Sequence, residues 1–429
     1  MTSKKPGAAG TLFEIEGDRL LARTAAHSSR YIKITVVAPP VTSKRERPAV
    51  RIGFVLDRSG SMQGDPIRYA HKAILNGIDM LSGRDEFAVV SFDDRVETPV
   101  SLTGVAEGRR AAKAAIPMIE ARANTNLCDG YLTGAQEIGG GADADVIRRV
   151  ILISDGHANA GVTDSATLAR HASELRARGV STATLGIGDG FDEALMSAIA
   201  NGGGGPAQYA GDPDKIGAAI AECIGEALEV TLRDAHVVIT VPGADIELLS
   251  AGDVTSRRGE LRVALGDLTE SQEREVVLRV RLPLGYEGDQ VALTAVLTGR
   301  DEAEKVHLEQ GYTWTYAGSA ENDAQPRNRV VDRVVAQLYA ADARERAIAL
   351  NREGDYERAQ AVMVKVARRI ATYAGEDREL AKLVTELLSE AEQWNRPTHE
   401  RFRKESYHFA MYQLQSRMED GTARKRDRR

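Results

Sequence analysis

RIGFVLDRSGSM, residues 51–62, reads as a strand that runs into an acidic, hydroxyl-rich turn. Ile52, Phe54, Val55 and Leu56 form a short apolar run of the kind buried on both faces of a parallel sheet. Asp57, Ser59 and Ser61 follow at alternate positions, with Gly60 between the serines. A tight loop with oxygens at every second position can aim them at one point. One carboxylate and two hydroxyls are hard donors, suited to Mg²⁺ or Mn²⁺ rather than zinc. Mg²⁺ takes an octahedron of oxygens and keeps waters, so this loop alone does not complete a site.

Two later segments can supply the rest. ANTNLCDG, residues 123–130, offers Thr125, and VILISDG, residues 150–156, is a second apolar strand ending in an acid, Asp155. Strands and helices alternate from Arg51 to about Leu228, the pattern of a doubly wound α/β unit. Two strands that each end at Asp put both carboxylates at the carboxyl edge of one sheet, where open α/β sheets bind ligands. Asp57 is expected to face solvent there.

The ordered set Asp57, Ser59, Ser61, Thr125 and Asp155 resembles the metal-ion-dependent adhesion site of the von Willebrand factor A domain, with all five positions matching in type and order. The resemblance implies that the Ser59 and Ser61 hydroxyls bind the metal directly, and Asp57 and Asp155 directly or through water. Thr125 would join when the site is engaged. It also implies an open metal position taken by a carboxylate of a partner protein. A dication held mainly by neutral oxygens still attracts an anion strongly.

The chain has 429 residues, enough for two or three domains, and its 42% hydrophobic and 28% charged residues are ordinary for a soluble globular protein. The formal net charge of −7 argues against a general nucleic-acid binder. Two cysteines, Cys128 and Cys223, make no disulfide framework and suit a reducing compartment. The lysines of MTSKKPGAAG precede no apolar stretch, and no run approaches the ~20 apolar residues of a membrane span. A cytoplasmic location with no membrane contact is expected.

Around the α/β unit at residues 50–228 the pattern changes. Residues 11–48 carry alternating strands that end at Pro39 and Pro40, then the charged connector VTSKRERPAV. Residues 229–317 contain six short alternating runs, as in an antiparallel β-sandwich. The N-terminal strands have no other sheet to join, so the α/β unit is expected to be inserted in a sandwich built from both flanks. LGDLTESQEREVVLRVRLP also resembles the β region that follows the A domain in bacterial proteins of this type. Residues 326–418 show helical spacing, as in Val331, Val334, Val335 and Leu338. GDYERAQAVMVKVARR resembles one tetratricopeptide helix pair, but a single unit favours a plain bundle. Residues 419–429 read as a basic, disordered tail, and Met1 to Gly10 as disordered too.

Other features read as structural. His157 is the only nearby base that a hydrolytic metal could use, and a solvated histidine is the simpler reading. Cys128 reads as a small buried residue starting a helix. Gly186, Gly188 and Gly190 have the wrong spacing for a dinucleotide loop, and Gly202 to Gly205 lacks the Lys-Ser/Thr of a phosphate loop. These glycines are expected to make a tight turn and a flexible connection. The reading is a non-enzymatic, Mg²⁺-dependent adaptor for a partner bearing an acidic residue. By resemblance to bacterial A domains, that partner belongs to an AAA-type ATPase system. The rivals are a metal-dependent hydrolase and a protein similar to the Ro RNA-binding proteins, which would need a basic helical surface.

Overall fold

The structure, a computed structural model, describes residues 10–41, 47–122, 124–140, 145–257, 259–301 and 304–426. Residues 42–46 of the charged connector and the N-terminal residues 1–9 lie outside it.

Three strands come first: β1 (Leu12–Gly17), β2 (Leu21–Arg23) and β3 (Ser29–Val37). The α/β unit then runs β4 (Val50–Asp57), α1 (Asp65–Met80), β5 (Glu86–Phe92), β6 (Val96–Gly104), α2 (Val105–Ala115), α3 (Leu127–Gly139), β7 (Ile147–Ser154), α4 (Ser165–Ala177), β8 (Val180–Ile187), α5 (Glu193–Gly203), β9 (Gly204–Ala210) and α6 (Ile216–Leu228). Its sheet has the order β6-β5-β4-β7-β8-β9, parallel except for the edge strand β6. Both faces of β4 are covered. Phe54 packs with Ile74 and Ile220 on one side, and Val55 with Tyr131 and Leu168 on the other. This explains why the strand is apolar throughout rather than alternating.

α2 ends at Ala115 and gives way to a single 3₁₀ turn at Ile116–Met118. Pro117 has no N–H to give an α-helical bond, so the helix ends before it. The glycines from Gly202 to Gly205 are not a flexible connection. Gly202 and Gly203 close α5, and Gly204 begins β9. A Cβ on Gly203 would lie 2.5 Å from the Thr182 Cβ, and one on Gly205 would lie 2.3 Å from the Thr182 carbonyl oxygen. Gly203 and Gly205 are there because their backbone runs directly against β8, and a Cβ on Gly202 would lie 2.4 Å from the Ala169 carbonyl oxygen of α4.

Strands then resume: β10 (Val230–Thr240), β11 (Asp245–Leu248), β12 (Asp253–Arg257), β13 (Glu260–Thr269), β14 (Glu273–Arg281), β15 (Gln290–Asp301) and β16 (Glu304–Ala317). They form two sheets, β1-β3-β14-β11 and β12-β13-β10-β15-β16-β2. β3 and β14 pair in register from Ser29↔Arg281 to Val37↔Glu273. Two details depart from expectation: β2 joins the larger sheet and pairs parallel to β16, and DVTSR forms β12. All of β12 is at least partly exposed, so no apolar alternation marks it.

The last segment is helical: α7 (Ser319–Ala324), α8 (Arg329–Arg352), α9 (Tyr356–Ala374), α10 (Arg378–Trp394) and α11 (Glu400–Leu414). α8, α9 and α10 pack together around Ala347, Met363, Leu387 and the fully buried Trp394, while α11 returns to lie on α8 and α5. The tail is not disordered up to Arg426. Lys425 makes a β-bridge with Gln272, its Nζ lies 2.6 Å from a Glu229 oxygen, and Arg426 reaches Glu14 at 3.2 Å. Its basic residues are held by an acidic edge of the sandwich. No helix among the described residues is long and apolar enough to cross a membrane.

Candidate metal centre

β4 and β7 are adjacent and parallel, and they deliver Asp57 and Asp155 to the same sheet edge. Asp57 is fully buried rather than facing solvent, which corrects the expectation from sequence. One carboxylate oxygen accepts the Ser59 N–H at 2.7 Å and the other accepts the Ser154 hydroxyl at 2.5 Å. These two bonds fold the turn back on its own strand and tie β4 to β7. The Ser59 and Ser61 hydroxyls lie 3.1 Å apart, and Ser61 donates to Asp155 at 2.7 Å.

Thr125 comes from the segment before α3. Its N–H donates to the Asn159 side chain at 2.9 Å, and its carbonyl accepts the Asn159 and Ala160 N–H groups at 3.2 Å each. The neighbouring Asn126 N–H donates to the Asp93 carbonyl at 2.8 Å. Thr125 is therefore positioned by backbone clamps on both sides. All five residues named from sequence converge. Gly156 shows how closely: a Cβ there would lie 3.5 Å from the Thr125 Oγ1, 3.6 Å from the Ser61 Oγ and 3.7 Å from the Ser59 Oγ. Three hydroxyls from two segments surround a position with no side chain.

The electrostatics are unbalanced. Burial raises the Asp57 carboxyl above its ordinary value against the hydrogen bonds from Ser154 and Ser59. Burial also pushes Asp155 up to about 6, opposed by the Ser61 hydrogen bond and reinforced by the charge of Asp57. The nearby guanidinium of Arg58 is engaged elsewhere, with Glu97 at 2.7 Å and Asp93 at 3.2 Å. Two buried carboxylates thus share a pocket of hydroxyls, and among the described residues no cationic side chain pairs with either. Hard oxygen donors, excess negative charge and a small open cradle fit Mg²⁺ or Mn²⁺. Among the described residues no group of three or more His, Cys, Asp or Glu is placed to hold a metal, so thiolate or imidazole coordination has no candidate.

Sequence reasoning missed Ser154, Gly156 and Asn159. Ser154 precedes Asp155 and carries no pattern of its own; only the strand pairing puts its hydroxyl on Asp57. His157 is exposed. Cys128 is buried near the start of α3, and burial and the charge of Asp129 raise its thiol, the reverse of what a thiolate nucleophile needs.

Residues 52–220 match the sequence model of the von Willebrand factor type A domain. The uncharacterised protein sll0103 of Synechocystis sp. is 28% identical over 277 residues, 62% of this chain and 64% of that one. Human inter-alpha-trypsin inhibitor heavy chain H4 is 27% identical over 162 residues, 36% of this chain and 17% of that one. The chain spans less than two thirds of either relative. A von Willebrand factor type A protein from Catenulispora acidiphila has the same fold across 96% of this chain and 97% of its own, with a TM-score of 0.72 at 17% identity. The ArnB paralog VWA2 from Sulfolobus acidocaldarius aligns over 95% of this chain and 98% of its own, with a TM-score of 0.64 at 15% identity.

Proposed function

We propose that this protein, whose residues 52–220 are a von Willebrand factor type A domain, is an adaptor that docks a partner protein through a divalent cation. Asp57, Ser59, Ser61, Thr125 and Asp155 would hold Mg²⁺ or Mn²⁺. The bound cation would supply a positive centre for an acidic side chain of the partner. The observation that carries this reading is the cradle at Gly156, where three hydroxyls and the Asp155 carboxylate meet without a basic side chain.

In this reading the chain itself performs no chemistry. A hydrolase built on the same residues needs a base beside the attacking water, and the only nearby imidazole, His157, is exposed to solvent. The A domain is inserted in a β-sandwich assembled from both flanks, which the β3–β14 ladder supports. The partner is a cytoplasmic protein with an exposed acid, and an AAA-type ATPase suits that role.

Affinity capture from the native cell tests the reading. Partner binding should appear with Mg²⁺, vanish in excess EDTA and weaken in Asp57→Asn. Losing one charge-assisted contact at an interface centre commonly costs about 2–5 kcal/mol. Asn keeps an oxygen for the Ser59 N–H, whereas Asp57→Ala would strand two buried donors. Capture at full strength in EDTA would contradict docking through a metal.

A further inference from the structure

At the opposite, amino end of the central sheet, a cavity of about 690 Å³ lies between the A domain and the sandwich. Arg148 at the start of β7, Arg176 and Arg178 at the end of α4, and Arg233, Arg262 and Arg300 from β10, β13 and β15 all line it. Among the described residues two carboxylates, Asp234 and Asp253, share the wall, so six arginines against two aspartates leave the described lining at +4. Counting Asp267 in a small adjoining pocket still leaves +3. The chain as a whole carries −7, so this cleft runs against the protein's own charge.

An ordinary salt-bridged seam between two units would match its charges. Here the matching stops part-way. Arg176 donates to Asp253 at 2.7 Å, and Arg300 grips Asp234 with Nε at 3.1 Å. Among the described residues Arg233 donates to the neutral Val146 carbonyl alone, at 3.2 Å. Arg178 and Arg262 are exposed, and among the described residues their guanidinium groups have no hydrogen-bond or ion-pair partner. The backbone is shaped here too. Asp234 adopts a left-handed conformation, φ 51°, at an irregularity in the β10 ladders, and its N–H donates to Asp267 at 3.1 Å. Bulges of this kind re-aim side chains and are common beside sites.

We infer that this cleft binds a multiply phosphorylated small molecule, recognised through its phosphates by the guanidinium groups of Arg178, Arg233 and Arg262. Guanidinium forks match phosphate oxygens in pairs, and the volume lies in the range of small-ligand sites. No Phe, Tyr or Trp lines the cleft, and its one ring, His236, is tied at both nitrogens, to the Asp234 carbonyl at 3.2 Å and the Thr298 hydroxyl at 2.5 Å, so the wall lacks the large aromatic faces that carry successive nucleobases. That favours a compact polyphosphate over single-stranded nucleic acid. The site is separate from the metal centre and stands independently of the docking reading.

Calorimetric titration of inorganic tripolyphosphate into the full chain, in EDTA at low salt, tests it. EDTA removes any anion bridging at Asp57 and Asp155, so the result does not depend on the metal. Saturable binding with one site is expected. The double variant Arg178→Gln with Arg262→Gln should weaken it roughly tenfold or more, the scale of a lost charge-assisted group. Both side chains are exposed, so an unchanged melting temperature will show that the variant is folded. An absence of saturable heat in the wild type, equal affinity in the double variant, or competition by hexa-aspartate as strong as by tripolyphosphate would each overturn the assignment.

Discussion

Glu193 and Asp155 are both buried carboxylates at the carboxyl edge of the same sheet, yet their surroundings are opposite. Glu193, in the first turn of α5, is 3% exposed and lies 2.7 Å from the Lys404 Nζ and 2.5 Å from the Arg352 Nη1. Burial alone would raise its carboxyl, but hydrogen bonds from Arg352 and Lys404 hold it down to about 2. Asp155 is 9% exposed and has a serine and a second carboxylate for company, and it is pushed up to about 6. Where a carboxylate is structural, the helices bring cations to it. Where none is brought, the negative charge stays unbalanced by the described side chains. The two are also linked: Lys404 donates to the Phe191 carbonyl, and a Cβ on neighbouring Gly190 would lie 3.2 Å from the Asp155 carbonyl oxygen.

The largest expected effect breaks the satisfied cluster. Glu193→Ala leaves the Lys404 ammonium buried without its partner, and removing one member of a buried pair typically costs about 3–5 kcal/mol. Chemical denaturation should show that loss, and an effect under about 1 kcal/mol would mean that solvent reaches the cluster. Because the Glu193 carboxyl is depressed in the folded state, its contribution is present above the unfolded value near 4.5 and lost as pH falls through about 2.

Asp155 should behave in the reverse sense. Its folded form holds a proton more tightly than the unfolded chain, so its share of stability falls as pH rises from near 3.8 through about 6. A cation competes with that proton. Mg²⁺ at about a hundred times its Kd should stabilise the protein by ~2.7 kcal/mol at neutral pH, and less below pH 6. Thermal melts across pH, with and without Mg²⁺, measure both effects. A melting temperature that ignores Mg²⁺ at pH 7.5 would place Asp155 with the structural carboxylates.

The smallest effect sharpens the contrast by its near absence. His157→Ala removes an exposed ring close to Asp155, and both stability and Mg²⁺ affinity should stay within about 0.5 kcal/mol. A tenfold fall in affinity, read by calorimetry, would make His157 part of the site and revive the hydrolytic alternative.

The sequence exposes some of this and hides the rest for physical reasons. β4 and β7 are legible because strands buried on both faces are apolar throughout, and an acid ending such a strand is conspicuous. The closing of Thr125 onto the site is not, since it depends on Asn159 and Asp93, which lie far apart in the chain. β12 lacks a buried face and so lacks a pattern. The basic tail reads as solvated until Glu14, Glu229 and Glu273 are brought to its side. The Glu193–Lys404 pair spans 211 residues and is invisible to any local reading.

A calorimetric Mg²⁺ titration of the wild type beside Asp155→Asn, at pH 7.5, tests the central claim most directly. Asp155 suits it better than Asp57, because it is less buried and holds no strand to its neighbour. One saturable site in the wild type, weakened about tenfold or more by the loss of one carboxylate, is the predicted result. Equal affinity in both proteins, or no saturable binding in the wild type, would contradict it.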